Sequence, residues 1–144
     1  MTGAEQEQRV YVTPSPAQGD VVIIKLGSPG ERAIILTPAR MASLANELEK
    51  ISKDNSIRGV VIAGPGPGIF CAGADINIIK GVSDPIKGAE LARDGQRVFD
   101  LIEQLNKCTV AAIYGACVGG GYEMALACNY RLACEAPETR VGLP

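Results

Sequence analysis

The sequence contains no histidine and no tryptophan, and aromatic residues make up only 4% of its 144 positions. Without histidine, Ser-His-Asp and Cys-His catalysis and histidine-ligated metal sites are excluded from this chain. So few aromatics leave no platform on which nucleic-acid bases could stack. A basic stripe is missing as well: the net charge is −2 and the Lys and Arg residues are scattered, so no nucleic-acid surface is expected. The cysteines, Cys71, Cys108, Cys117, Cys128 and Cys134, are odd in number, and no two have the two-residue spacing of a zinc or redox motif. Most sit in apolar runs, where cysteine acts as a small hydrophobe, and a reduced, cytoplasmic setting is the expectation. The opening residues, MTGAEQEQRV, hold no apolar core of a secretory signal.

What is present suits a packed domain. Hydrophobic residues reach 47%, and the length suits one core. Residues 1–19 are polar, with Pro14 and Pro16, and read as a frayed N-terminal extension carrying a short extended piece at 10–13. Residues 20–144 read as one domain. Residues 20–26 (DVVIIKL) predict a strand, 27–30 (GSPG) a turn, and 33–36 a second short strand, the two together suggesting a hairpin. Thr37 and Pro38 are a helix cap and first position. Met41, Leu44, Ala45, Leu48 and Ile51 then mark one helical face. Residues 59–63 (GVVIA) predict a buried strand, so strand, helix and strand imply a right-handed crossover and a parallel sheet.

The loop at 64–68 (GPGPG) lacks the Gly-Lys-Ser/Thr of a phosphate loop and misses the dinucleotide spacing, since Ile69 stands where the third glycine would be. The next segment, FCAGAD at 70–75, puts small residues after a strand; taken alone it is a plain turn with Asp75 capping the short apolar stretch 76–79. Pro85 opens an amphipathic helix running to about Asn106, and residues 130–134 and 140–141 predict two further strands.

The segment at 109–128, TVAAIYGACVGGGYEMALAC, carries the chemistry. It predicts a strand, a tight turn at Gly119, Gly120 and Gly121, and a helix over 124–128 with Glu123 in its first turn. A membrane span needs a similar length, but a glycine triplet and a charge near its middle, with no basic flank, argue against one. Three glycines in a row suit unusual dihedrals or direct contact between backbone and another molecule. First-turn N–H groups have no intrahelical partner and can hold an oxygen on which negative charge develops. A carboxylate enclosed beside them has a raised pKa and can act as acid or base. Equally, a first-turn Glu can serve only the helix dipole or a capping box, and the segment alone leaves both readings open.

Taken together, GIFCAGADI (68–76), GACVGGGYEMALACNYRLA (115–133) and TRVGLP (139–144) resemble the enoyl-CoA hydratase/isomerase, or crotonase, superfamily. The PGER turn at 29–32 is similar to the hydratase part of bacterial multifunctional fatty-acid oxidation proteins. The resemblance implies an α/β fold of repeated ββα units arranged as a spiral and truncated at the C-terminus. It implies an acyl-CoA substrate, with the thioester oxygen held by the backbone N–H groups of Ala72 and Gly120. Ala72, Gly73, Ala74, Asp75, Gly119 and Gly120 would lie along the substrate. Glu123 matches the first catalytic glutamate. The second follows the Gly-x-Pro triplet, here Gly142, Leu143 and Pro144, and so falls beyond this sequence. The expected reaction is reversible hydration of a trans-2-enoyl-CoA in β-oxidation, with isomerisation or non-catalytic acyl-CoA binding as alternatives. No metal or other cofactor is implied, coenzyme A being part of the substrate; the intact protein would be a trimer or hexamer, and this piece alone inactive. Two places depart from the family pattern: Ile34 and Tyr114 stand where Asn is common.

Overall fold

The computed structural model describes residues 8–143. The predicted frayed start therefore lies partly outside the described residues, as does Pro144 of the terminal triplet. The elements run β1 (Tyr11–Pro14), β2 (Val21–Lys25), β3 (Ile35–Leu36), α1 (Pro38–Lys53), β4 (Gly59–Ala63), β5 (Ile69–Cys71), β6 (Gly73–Ala74), α2 (Ile76–Gly81), α3 (Pro85–Glu103), β7 (Cys108–Ile113), β8 (Ala116–Val118), α4 (Gly120–Ala127), β9 (Tyr130–Ala133) and β10 (Arg140–Gly142).

The long strands make a five-stranded sheet ordered β1-β2-β4-β7-β9. β2, β4, β7 and β9 are parallel, and β1 adds an antiparallel edge from within the polar extension. The short strands form a second layer: β10, β8 and β5 pair in parallel, and β3 pairs with β6. The long strands β2, β4 and β7 are each followed by one or two short strands and then by helix, as in β2-β3-α1 and β7-β8-α4. This is the repeated ββα pattern of the expected α/β fold. Along β7 every second residue, Thr109, Ala111 and Ile113, is buried, and β2 buries Val22 and Ile24. That alternation is the period-two signature of a sheet with one face on the core.

The predicted hairpin of residues 20–26 with 33–36 does not form. Both edges of β2 are taken, by β1 and β4, and β3 pairs in parallel with β6 in the other layer. The turn between them explains the departure. Glu31 accepts from the Ser28 N–H at 2.7 Å and from the Arg40 guanidinium at 2.7 Å, while Arg40 also donates to the Ile35 carbonyl at 2.9 Å. This ion pair is buried, with Arg40 only 3% exposed, and it ties the PGER turn to the start of α1 and to β3.

Helix α1 starts where its cap predicts, the Thr37 hydroxyl accepting from the Arg40 N–H at 3.2 Å, and it buries Leu44, Leu48 and Ile51. α3 buries only Val98 and Ile102, and it carries Gly88 and Gly95 in its interior. Each costs roughly 1 kcal/mol of helix stability against alanine. The end of α4 is latched to β7: Asn129 Oδ1 accepts from both the N–H and the hydroxyl of Thr109, and the Asn129 N–H donates back to that hydroxyl at 2.9 Å. Among the described residues no helix is long and apolar enough to cross a membrane.

Two predictions follow from this packing. Glu31 accepts hydrogen bonds from the Ser28 N–H and from the buried Arg40 guanidinium, and a bond to a charged group is worth roughly 1.5–3 kcal/mol, so Glu31→Ala should cost about 2 kcal/mol in denaturant-unfolding measurements; a loss under ~1 kcal/mol would show that the pair does not anchor the turn. Burial pushes the thiols of Cys71, Cys117 and Cys128 up to about 11, 12 and 11, whereas Cys108 and Cys134 are exposed. Since the thiolate is the reactive form, a chromogenic thiol reagent at pH 8 should titrate two cysteines quickly in the folded chain and all five in guanidinium. A third fast thiol would contradict the packing described.

Candidate active site

Two loops meet at the head of α4. β8 ends at Val118, and Gly119 turns the chain with φ +52°, its N–H donating to the Gly142 carbonyl at 3.1 Å. The helix begins at Gly120, inside the glycine triplet and earlier than the predicted start at Met124, which still leaves Glu123 in the first turn. Opposite runs the loop from β5 into β6. Gly73 has φ +96°, and a Cβ there would stand 2.9 Å from the Val118 oxygen and 3.1 Å from the Gly120 nitrogen. A Cβ on Gly121 would stand 2.8 Å from Cys71 Cβ and would strike the Cys71 carbonyl. Only glycine permits this backbone-to-backbone approach.

The approach gathers three groups around Gly120. A Cβ built there would lie 3.4 Å from Leu36 Cδ1, 3.5 Å from the Ala74 nitrogen and 3.6 Å from Glu123 Oε2. The Gly120 N–H, at the first position of α4, finds no acceptor among the described residues, as first-turn geometry requires. The site therefore brings together a helix-start amide, a second backbone amide and a carboxylate.

Two sequence expectations need correction here. The Ala72 N–H is engaged, donating to the Ile34 carbonyl at 2.8 Å. It serves the junction with β3, and the nitrogen beside Gly120 is that of Ala74. The motif shows that small residues expose backbone, but which amide faces the partner loop depends on the turn at Gly73. Second, the enclosure of Glu123 expected from its apolar segment is not found: the residue is exposed. The apolar neighbours in the sequence, Met124 and Ala125, are buried on the other side of the helix.

Of the remaining sequence-predicted residues, Asp75 caps α2, its carboxylate accepting from the Asn77 N–H at 2.9 Å. That is the plain role the local sequence suggested. Ile34 is fully buried, and Tyr114 lies beside Glu138, whose hydrogen bond and charge raise its phenol above the ordinary value. Neither lines the cavity at the site. That cavity, about 850 Å³, runs from Ala74, Gly120 and Glu123 past Leu36 and Met41 to the faces of α2 and α3. Its size is that of small-molecule sites. Sequence reasoning missed the α3 wall, because the apolar face of an amphipathic helix reads the same whether it meets core or cavity.

Comparison with known proteins shows the family. The family described as enoyl-CoA hydratase/isomerase matches residues 17–144. The fatty acid oxidation complex subunit alpha of Idiomarina loihiensis is 43% identical over 124 residues, which is 86% of this chain and 18% of that protein. The crystal structure of enoyl-CoA hydratase from Bacillus anthracis superposes with a TM-score of 0.82 at 32% identity, covering 94% of this chain and 50% of that one. Human mitochondrial delta3-delta2-enoyl-CoA isomerase gives 0.83 at 33% identity, covering 94% and 51%. This chain thus spans under a fifth of the curated relative and about half of the two solved structures. With its repeated strand-strand-helix units and its paired glycine loops, the chain belongs to the enoyl-CoA hydratase/isomerase family.

Proposed function

We propose that the protein of which this chain is part adds water reversibly to a trans-2-enoyl-CoA, and that this chain supplies the thioester-holding half of the site. The observation that carries the reading is the convergence of the Ala74 nitrogen, the Gly120 amide and the Glu123 carboxylate at one point. As hydroxyl bonds to the β-carbon, the double-bond electrons move toward the thioester oxygen. Two preorganised N–H donors can hold that charge, an arrangement worth several kcal/mol in a water-excluding site. Glu123, open to the cavity, takes the proton from the attacking water.

The α-carbon must then receive a proton from a second acid. The other carboxylates along the cavity are Asp75, Asp84 and Asp94. Asp75 and Asp84 cap α2 and α3, and Asp94 pairs with Arg97. We therefore assign the second acid to a part of the protein outside this span, and with it the oligomer contacts expected of the family. The reading needs no metal or redox group; coenzyme A arrives as part of the substrate. A cytoplasmic setting belongs to the same proposal. The likeness to the isomerase keeps double-bond migration as a second reading, and the two differ in their use of Glu123.

Replacing Glu123 by Gln in the whole protein should lower hydration of crotonyl-CoA by roughly 10²–10⁴-fold with the fold intact, the usual contribution of a positioned acid or base. Hydration at the parental rate in that variant, or loss of hydration through unfolding alone, would remove the proposed role, and surviving isomerase activity would favour the second reading. The 144-residue chain by itself should show no hydratase turnover in the same spectrophotometric assay; rates near those of the whole protein would place both acid and base within it.

A further inference from the structure

Arg40 stands where its own helix does not favour a cation. It is the third residue of α1 and lies in the first turn, at the positive end of the helix dipole. It is also the one buried charged side chain among the described residues. An ion pair buried in this way adds little stability over apolar residues of the same volume, so what the charge supplies is position. One arm of the guanidinium donates to the Glu31 carboxylate at 2.7 Å and the other to the Ile35 carbonyl at 2.9 Å, a fork geometry that lysine lacks. Ile35 belongs to β3, which has two residues and is the strand partner of β6. Ile35 pairs with Gly73 and Leu36 with Ala74, and one residue earlier the Ile34 carbonyl accepts from the Ala72 N–H at 2.8 Å. Leu36 Cδ1 and the Ala74 nitrogen in turn stand 3.4 and 3.5 Å from a Cβ built on Gly120. β3 is therefore the support against which residues 72–74 meet the start of α4.

We propose that Arg40 is a positioning residue for the reaction: through β3 it holds the Ala74 amide at the spacing from the Gly120 amide that an oxyanion requires. The proposal rests on the acyl-CoA reading above and adds to it a residue that does not line the cavity. Donors stabilise a developing oxyanion at about 2.7–3.1 Å, so a small shift of β3 is felt in catalysis before it is felt in folding. A ladder of two residue pairs is too short to fix that spacing by itself, since even a longer two-stranded ribbon is marginal alone. The guanidinium ties the ladder to α1. Its charge also bears on the loop: burial drives the Cys71 thiol up to about 11, and a hydrogen bond from Gly73 and the Arg40 charge oppose that rise. Arg40 thus stands within electrostatic reach of the residue that leads into 72–74.

The test compares, in the whole protein, the parent, Arg40→Lys, the double variant Glu31→Gln/Arg40→Met and, as control, Lys50→Met. Lys50 is an exposed cation of the same helix, paired with Glu47 and outside the cavity. Each is read by thermal melting, by kcat and KM for crotonyl-CoA hydration, and by ultraviolet titration of bound acetoacetyl-CoA, whose enolate shares its negative charge with the thioester oxygen. Arg40→Lys and the double variant should melt as folded proteins, the second because no charge is left stranded. In both, kcat should fall at least tenfold while KM stays within threefold. The pH midpoint of the bound enolate should rise by about one unit, the same tenfold loss read as proton affinity. Lys50→Met should match the parent in all three measurements. A folded double variant with parental kcat and enolate midpoint would overturn the proposal, as would a rise in KM that accounts for the whole loss. Unfolding of both Arg40 variants would overturn it too, by making the residue a matter of stability. None of these results touches the acyl-CoA reading, which fails instead, and the proposal with it, if the parent neither hydrates crotonyl-CoA nor binds acetoacetyl-CoA.

Discussion

The structure depends on a contact in which two stretches of backbone touch with no side chain between them. Gly73 lies against Val118 and Gly120, and Gly121 lies against Cys71. A Cβ at Gly73 would stand 2.9 Å from the Val118 oxygen, and one at Gly121 would strike the Cys71 carbonyl, so either would push the loops apart. Because they touch, the amide of residue 74 and the start of α4 become neighbours although they are far apart in sequence. The free N–H at a helix start is a general property of helices; its value here comes from what stands beside it.

That contact is held from both sides. The Thr109–Asn129 hydrogen bonds fix the far end of α4 to β7. On the other side, the buried Glu31–Arg40 pair fixes the turn that delivers β3, and β3 carries Leu36 to the site and receives the Ala72 N–H. A buried ion pair contributes little net stability over an apolar replacement. Here its hydrogen bonds reach the Ser28 N–H in the turn and the Ile35 carbonyl at β3. The remainder of the core, Phe70, Leu44, Ile62 and Met124 among it, is ordinary apolar packing.

Much of the architecture was legible in the sequence because it follows from local rules. The strands at β2, β4 and β7 declare themselves by β-branched runs, and α1 by its Thr-Pro cap and helical stripe. The hairpin expectation failed because strand pairing is a choice among partners, and only the assembled sheet shows that β2 has none to spare. The Ala72 assignment failed for a related reason: a motif names the loop, while the turn at Gly73 decides which nitrogen points where.

By itself, the sequence determined the long strands and the helices between them, the glycine-rich start of α4 with a carboxylate in its first turn, and the absence of histidine chemistry, while the repeated strand-strand-helix order was implied by the family resemblance. These are properties of short stretches, set by side-chain period, backbone freedom and composition. Only the tertiary structure decided that the Ala74 nitrogen stands beside Gly120, that Glu123 opens to a cavity, and that the glycines of α3 face empty space. Those facts depend on distances between segments remote along the chain, and such distances exist only once the layers have packed.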